Sequence, residues 1–480
     1  MAPVAAQAAA ARAAAAPAGP GPRAAVQAYA ERFAVPATVA VLVDREGAVT
    51  TVPHGVTSEG APVTADTPFR IASMSKAFTA VAVLQLAEAG RIDLDGPVAA
   101  ALPGFTVADP RAGDVTVRHL LAHTSGLSNQ DVDEFALPPA ASAAALVERL
   151  SRVPLAADPG TVHQYLNANY VVAARLVEVV TGRPFADHLH DAVLAPLGMN
   201  STVATDRCDA AVPGLARGHV GALGVQVPAP EIPSFCAGDG GVVSTAADLT
   251  RWVRFQLGDG TAADGTRLLS TAALRGAHTP SPGTDGRYGL GWSVRTADDG
   301  RTRVLHGGAL ATWSSGIELS SAGSAAFVLT DASGGNPGAL AADLVARADG
   351  APGVPVDDPY RPLNLALLGL TVLAAALLGT AVLRARRRAA RLGGRRRVVA
   401  LPALAVGAGI LLLPALSLLA GPPSATAWTL VLWLLPLSGV LALVLMAGGT
   451  AALVARSGAA RAERGRSPER PGPPGITARR

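Results

Sequence analysis

The sequence contains a single lysine, and a serine stands three residues before it. Lys76 is the one lysine among 40 lysine and arginine side chains, and it lies in the stretch IASMSKAF that begins at Ile71. A guanidinium group stays protonated in proteins, whereas a buried ammonium group can lose its proton and act as a base. A serine hydroxyl becomes a nucleophile when a neighbouring base takes its proton. Ser73 and Lys76 therefore predict a nucleophile and its proton acceptor.

A helix is expected to hold these two side chains together. The apolar run and the following Gly90 predict a helix over Met74–Ala89, with Ser73 at its amino-terminal end. Residues three apart share one face of a helix, and free N–H groups surround a hydroxyl at this positive end. The Ser-x-x-Lys spacing is common on surface helices, so this pair alone is weak support for catalysis.

Two further triplets carry groups that such a reaction needs. Tyr-Leu-Asn at 165–167 offers a phenol that can transfer a proton and an amide that can orient a substrate. His-Gly-Gly at 306–308 places a titratable ring beside two glycines, where a substrate backbone can approach a strand edge. Taken singly, the first triplet is more typical of a helix start and the second of a turn.

The three motifs occur together and in this order in a known family. Residues 24–345 resemble the serine β-lactamase and penicillin-binding-protein superfamily, in the branch of class C β-lactamases, D-alanyl-D-alanine carboxypeptidases and esterases. Shorter stretches carry the resemblance too: LLAHTSGL at 120–127, PLGMNST at 196–202, GGVVSTAADL at 240–249 and YGLGW at 288–292. The resemblance implies an α+β fold of the β-lactamase/transpeptidase type, an antiparallel sheet flanked by helices with an inserted helical subdomain. It implies no metal and no cofactor.

The resemblance also assigns catalytic roles. Ser73 is expected to be the acylated nucleophile and Lys76 its proton partner. Tyr165 is expected to act as general base and then to protonate the leaving group. The backbone N–H groups of Ser73 and Ala309 are expected to form the oxyanion hole.

Further positions follow for binding the substrate. Asn167 is expected to hold the substrate amide or acyl side chain, and His306, counted among the catalytic residues, is expected to lie near the substrate carboxylate. Gly307, Gly308 and Ala309 are also expected to bind the substrate. Histidine replaces the lysine usual in class C β-lactamases, which favours a peptidase or esterase over antibiotic hydrolysis.

Other histidines are given no catalytic role. His123, in LLAHTSGL, is interpreted as structural. The two histidines of DHLHD at 187–191 are two apart on a predicted helix and face different ways, so no metal site is expected there. The sequence has no Gly-x-Ser-x-Gly elbow, His-Glu-x-x-His motif or phosphate loop, which argues against other hydrolase and nucleotide-binding classes.

Strands are predicted at both ends of the hydrolase segment, with helices between them. TVAVLVDREGAVTTV at 38–52 is typical of a hairpin. Three more strands are predicted from RYGLGWSVRT, TRVLHGG and SSGIELSSAGSAAFVLTD, at 287–296, 302–308 and 314–331. Helices are predicted at Ala141–Leu150 and Tyr170–Thr181, and ALAADLVARA at 339–348 as a last helix on the sheet.

The remaining segments differ in charge and hydropathy. Residues 1–361 carry 25 basic and 34 acidic side chains, whereas residues 362–480 carry 15 arginines and two glutamates. Three charge-free runs in the second part are long enough to cross a bilayer and predict a three-helix transmembrane region. The predicted segments are an Ala/Pro-rich leader at 1–23, a linker at 346–362, transmembrane helices within 363–455 (363–383, 398–420 and 427–454) and a basic tail at 456–480.

The basic segments predict the orientation in the membrane. Residues 384–397 hold eight arginines, and short basic loops stay in the cytoplasm. The tail is then cytoplasmic and the hydrolase domain extracytoplasmic in a multi-pass protein of the cell membrane. Flanking membrane helices explain the arginines more simply than nucleic-acid binding, and no nucleic-acid partner is expected. Cys208 and Cys236 are consistent with one disulfide or with two separate buried thiols.

The sequence thus predicts a membrane-anchored serine hydrolase that acts through an acyl-enzyme on a small-molecule or peptide substrate. The expected substrate is a D-amino-acid peptide, such as a cell-wall peptide, or an ester. The alternative is a penicillin-binding membrane sensor that is acylated without turnover.

Overall fold

The computed structural model describes residues 20–134, 138–358, 360–389, 400–420, 431 and 435–464. The chain divides into two compact units with a boundary at Arg361–Pro362. Most of the predicted leader, the basic tail after Arg464 and the arginine-rich loop at 390–399 lie outside the described residues.

Helices and strands are numbered in chain order. The strands are β1 (Ala37–Val43), β2 (Val49–Gly55), β3 (Phe69–Arg70), β4 (Val203–Ala204), β5 (Gly218–Ala222), β6 (Val225–Ala229), β7 (Val242–Ser244), β8 (Ser293–Thr296), β9 (Thr302–Ala309), β10 (Ser314–Ser320) and β11 (Ala325–Thr330). The helices of the first unit are α1 (Pro22–Phe33), α2 (Ser75–Glu88), α3 (Val98–Ala101), α4 (Val117–Leu121), α5 (Ala143–Leu150), α6 (Asn167–Thr181), α7 (Phe185–Leu189), α8 (Ala246–Leu257), α9 (Thr271–Ala277) and α10 (Pro337–Ala348). Short 3-10 turns lie at Ala72–Met74 and Pro110–Asp114, and a π-helical turn at His190–Leu194.

A six-stranded antiparallel sheet forms the base of the first unit. Its strand order is β2-β1-β11-β10-β9-β8, so strands from both ends of the segment pair in one sheet, as predicted. Successive side chains of β1 point to opposite faces. Val39 and Val41 join a large core with α2 and α6, and Ala40 joins a smaller core with α1 and α10. This α+β arrangement of sheet and helices confirms the predicted fold of the hydrolase segment.

Several predicted elements have different bounds in the structure. The segment 314–331 is two paired strands, β10 and β11, rather than one, because a turn containing Gly323 at φ +95° reverses the chain. In the segment 287–296 only Ser293–Thr296 is a strand. Helix α6 begins at Asn167, three residues before the predicted start, so Asn167 belongs to the first turn of that helix.

Helix α2 lies inside the domain. Eleven of its 14 residues are buried, as expected for a helix with apolar side chains on all faces. Phe78 stacks on Trp252 of α8 with ring centroids 3.7 Å apart. Gly291 of the YGLGW stretch lies against the backbone of Lys76 and Ala77, where a larger side chain would meet the helix. Packing on several sides therefore fixes the helix that carries Lys76.

The second unit contains apolar helices. They are α11 (Arg361–Ala389), α12 (Ala400–Ala420) and α13 (Pro436–Arg464). Among the described residues, two segments, Arg361–Arg384 and Pro436–Ala455, are long and apolar enough to cross a membrane, and Pro402–Leu412 is shorter. Of the helix predicted at 427–454, residues 436–454 lie in α13, and residues 421–430 and 432–434 lie outside the described part. A three-helix membrane region remains a prediction.

A disulfide joins Cys208 and Cys236, with their Cα atoms 5.6 Å apart. This settles the alternative that the sequence left open in favour of one covalent link. The bond closes the segment 208–236, which contains the β5–β6 hairpin.

Candidate active site

Ser73 lies in the 3-10 turn that leads into α2 and is half-buried. The preceding Ala72 has φ +50°, a left-handed conformation that costs free energy in a residue with a side chain and is often found at functional sites. Ser75 pins the turn, because its hydroxyl donates to the Ala72 carbonyl at 2.6 Å and accepts the Val242 N–H at 3.1 Å. The turn thus places Ser73 at the start of α2, and the Ser75 hydroxyl is used to hold the turn in place.

Lys76 is fully buried and reaches the serine. Its Nζ lies 3.1 Å from Ser73 Oγ, 2.7 Å from Asn167 Oδ1 and 2.9 Å from the backbone oxygen of Asp239. Two of these partners can only accept hydrogen bonds, whereas the serine hydroxyl can also donate. The amine is therefore surrounded by three polar atoms in a site that excludes water.

The Tyr-Leu-Asn triplet meets this amine at the start of α6. The Tyr165 ring centroid lies 4.9 Å from Lys76 Nζ, and its side chain is 39% exposed. In the described part of the chain, the Tyr165 hydroxyl makes no hydrogen bond to Ser73 or Lys76. The ring of the buried His123 lies 4.4 Å from that of Tyr165, and His123 Nδ1 accepts the N–H of Leu166 at 3.2 Å. His123 thus supports the triplet.

His306 lies on β9 as a buried, neutral side chain. Its Nδ1 is 2.7 Å from the carbonyl of Gly307, to which it can donate, and its Nε2 is 3.1 Å from the Tyr288 hydroxyl. Burial and the nearby charge of Lys76 lower the pKa of His306 to about 3. The ring therefore carries no charge at neutral pH. It cannot offer the positive charge with which a lysine would attract a substrate carboxylate.

The two glycines after His306 have different surroundings. A Cβ atom on Gly308 would collide with the Ile71 carbonyl and the Ser315 hydroxyl, whereas one on Gly307 would meet open space. Gly308 therefore lets β9 pack against the turn that carries Ser73. The pairing of β9 with β8 ends at Leu305, and among the described residues no strand pairs with residues 306–309 on that side, which leaves a free edge there.

A glutamate from a distant segment holds the turn after Ala309. The carboxylate of Glu231 accepts the N–H groups of Ala311 and Thr312, both at 3.0 Å, and the Thr312 hydroxyl at 2.6 Å. Desolvation by burial raises the pKa of this carboxyl group. Glu231 lies within the segment 208–236 that the disulfide closes. This segment therefore supports the β9 side of the site.

Two acidic residues that no sequence motif predicts lie near Lys76. Glu134 contacts Asn167 and the N-terminus of α6, and Asp239 contributes its backbone oxygen to Lys76. Desolvation and the neighbouring Asp239 raise the pKa of Glu134 to about 7. Desolvation raises the pKa of Asp239 to about 6, although Lys76 opposes this. Neither residue belongs to a recognisable motif, and no local sequence pattern indicates that either lies near Lys76.

No group of three or more His, Cys, Asp or Glu side chains within the described ranges is placed to hold a metal ion. In the stretch 187–191, His190 is exposed and pairs with Asp191, and His188 is half-buried. The candidate site therefore consists of serine, lysine, tyrosine, amide, histidine and carboxyl groups.

An antiparallel sheet against a buried helix, with a serine and a lysine at the helix start, defines a β-lactamase-type serine hydrolase. The family model described as Beta-lactamase matches residues 23–351, well over half of the chain, and the chain belongs to this family.

Proteins similar to this chain carry different functional names. The chain is 38% identical over 222 residues to penicillin-binding protein 4 of Amycolatopsis lactamdurans, covering 45% of this chain and 57% of that protein. It is 30% identical over 268 residues to a D-aminopeptidase of Brucella anthropi, covering 52% of this chain and 47% of that one. A D-stereospecific amidohydrolase from a Streptomyces species superimposes with a TM-score of 0.53 and 26% identity, covering 65% and 94% of the two chains. The match thus spans about half the length of the two curated relatives.

Proposed function

We propose that this β-lactamase-family hydrolase cleaves D-amino-acid peptides or esters through an acyl-enzyme on Ser73. The observation that carries the proposal is the buried Lys76 amine 3.1 Å from the half-buried Ser73 hydroxyl. A neutral amine within hydrogen-bond distance of a hydroxyl can take its proton. The family membership and the similarity to a D-aminopeptidase and a D-stereospecific amidohydrolase support the same chemistry.

The proposed reaction has two steps. The Ser73 oxygen forms a bond to the acyl carbon of the substrate while its proton passes to Lys76, and the bond to the leaving amine or alcohol then breaks. The leaving group takes a proton from Lys76 or Tyr165. Water then attacks the ester on Ser73, gives up one proton to the same groups and releases the acid, which restores the serine. The Ser73 and Ala309 N–H groups are proposed to stabilise the oxyanion.

The charges near the site favour a substrate whose binding does not depend on a carboxylate. His306 is neutral, and Lys76 is fully buried among three polar partners. The pKa of the nearby Glu134 carboxyl group is raised to about 7 and that of Asp239 to about 6. Near neutral pH, Glu134 is therefore partly ionised and Asp239 largely ionised. A neutral ester, or a peptide bound through its backbone at the free edge of β9, fits these charges better than an anionic β-lactam.

Membrane anchoring is part of the proposal. The two long apolar helices at the C-terminal end support it by length and composition. The arginine-rich segments at 384–397 and after Arg456 support a cytoplasmic tail and an extracytoplasmic hydrolase domain.

Covalent labelling tests the function. A fluorescent fluorophosphonate should label the full-length protein, and the Ser73→Ala variant should remain unlabelled. Ser151→Ala, which removes the hydroxyl of a half-buried serine at the end of α5, is the matched control and should be labelled like the wild type. Equal labelling of Ser73→Ala and wild type would defeat the proposal. A stable adduct without turnover on D-alanyl peptides and esters would instead favour a penicillin-binding sensor.

A further inference from the structure

Glu134 completes a chain of hydrogen bonds that ends at the proposed nucleophile. Glu134 Oε1 accepts the backbone N–H of Ala168 at 2.7 Å, and Oε2 accepts Asn167 Nδ2 at 3.1 Å. The other end of the same amide, Asn167 Oδ1, accepts from Lys76 Nζ at 2.7 Å. Lys76 Nζ lies 3.1 Å from Ser73 Oγ. A carboxylate 33 residues before the first residue of α6 is thereby linked to Ser73.

The carboxylate determines which way the Asn167 amide points. An ionised carboxylate can only accept hydrogen bonds, so the amide must turn its NH₂ group towards Glu134 and its oxygen towards Lys76. A protonated carboxyl group can donate to the amide oxygen instead, and so can a glutamine side chain in its place. Either change allows the Asn167 amide to turn over.

The amide orientation in turn determines where the lone pair of a neutral Lys76 points. A neutral amine has two N–H donors and one lone pair. Asn167 Oδ1 and the Asp239 carbonyl can only accept, so they take the two donors and leave the lone pair for Ser73 Oγ, 3.1 Å away. A turned amide would present N–H to Lys76 and draw its lone pair away from the serine.

We propose that Glu134 is a positioning residue of acylation: its carboxylate holds the Asn167 amide so that the lone pair of Lys76 points at Ser73 Oγ. This inference rests on the proposed function. In the step itself the Ser73 proton moves to Lys76 as Oγ bonds to the substrate, and Glu134 neither gains nor loses a proton. Glu134 acts only through Asn167 and Lys76.

A pH signature follows from the surroundings of Glu134. Desolvation and Asp239 raise its pKa, whereas the Ala168 N–H, Lys76 of α2 and the Asn167 amide lower it, with a result of about 7. Asp131 and Asp133 are the other acidic residues of its own segment. Glu134 is protonated below this value and ionised above it, so the acylation rate should rise as the pH increases through about 7.

The test measures the second-order rate constant for fluorophosphonate labelling of the full-length protein between pH 5.5 and 8.5. Glu134→Gln preserves shape and removes the charge. Asp131→Asn removes an exposed carboxylate three residues earlier and is the control. We expect Glu134→Gln to react about tenfold more slowly than wild type at pH 8 and to lose the rise near pH 7, since small misplacements of catalytic groups cost rate. Asp131→Asn should behave like the wild type.

Wild-type rates and an unchanged pH profile in Glu134→Gln would overturn the inference. If circular dichroism shows that this variant does not fold, the wild-type profile decides: a rise centred near pH 7 supports the role, and a profile without a rise contradicts it. Absence of labelling at Ser73 in the wild type would instead defeat the proposed function.

Discussion

The two sides of the site differ in how they are built. The helical side, with Ser73, Lys76 and Asn167, is a continuous chain of hydrogen bonds around a buried amine. The strand side, formed by β9 from His306 to Ala309, has a neutral ring and a free backbone edge. In the proposed mechanism, the position of each proton on the helical side determines reactivity. Shape and backbone groups of the strand side are proposed to determine what can bind, and separate variants test these two contributions.

The largest effect is expected from the helical side. Lys76→Arg keeps a basic side chain but cannot provide a neutral amine, so the labelling rate of Ser73 should fall on the order of 10³-fold. The rate is measured with a fluorophosphonate on folded protein, with unchanged circular dichroism as the control. A rate within a few-fold of wild type would contradict the role of Lys76 as proton acceptor.

The next prediction concerns the neutral histidine of the strand side. The folded-state pKa of His306, about 3, is below its ordinary value of 6.5, so the unfolded state binds the proton first as the pH falls. His306 therefore favours folding fully above about pH 6.5, and this contribution is lost as the pH falls towards 3. Relative to His306→Asn, the wild type should lose up to a few kcal/mol of unfolding free energy over this range, since one pKa unit corresponds to about 1.4 kcal/mol.

Urea unfolding of both proteins from pH 7 to pH 4 measures this difference. Parallel pH dependences of wild type and His306→Asn would show that His306 is not held neutral by the fold.

A pair of glycine substitutions tests the shape of the strand side. Gly308→Ala should destabilise the protein by about 1–3 kcal/mol, because the new methyl group meets the Ile71 carbonyl and the Ser315 hydroxyl. Gly307→Ala places the same methyl group in open space and should cost much less. Thermal unfolding of the two variants makes the comparison. Equal losses would mean that β9 does not pack on the turn that carries Ser73.

The smallest effect is expected at the turn after Ala309. Glu231→Gln replaces one acceptor oxygen by an NH₂ group that cannot satisfy the three donors of residues 311 and 312. We expect kcat for a neutral ester to fall about tenfold with a smaller change in KM, since a loosened turn misplaces the proposed oxyanion donor. The exposed Glu148→Gln on α5 is the control. A change confined to KM would assign Glu231 to substrate binding instead.

The helical side was easier to predict from sequence than the strand side. Ser73 and Lys76 are three residues apart, and one helical turn brings them together without any contact from a distant segment. The hairpin at 38–52 was also a local pattern and was confirmed by the pairing of β1 with β2. The turn between β10 and β11, at SSAGS, was not predicted from the sequence.

What escaped prediction depends on contacts between distant segments. Glu134 lies in a segment without periodicity, and nothing local shows that it reaches Asn167. The charge of His306 is set by burial and by Lys76, 230 residues away in the chain, so its motif alone indicated a titratable ring. Local spacing thus predicts candidate reactive groups, whereas contacts in the tertiary fold determine their protonation.

Peptide mapping of the acylated protein tests the central claim most directly. Trypsin cleaves after Arg70 and Lys76, so the peptide Ile71–Lys76 contains both Ser73 and the buried, hydrogen-bonded Ser75. After reaction with an activated D-alanyl ester, fragmentation should place the adduct on Ser73 alone. An adduct on Ser75, or an adduct outside this peptide, would contradict the account.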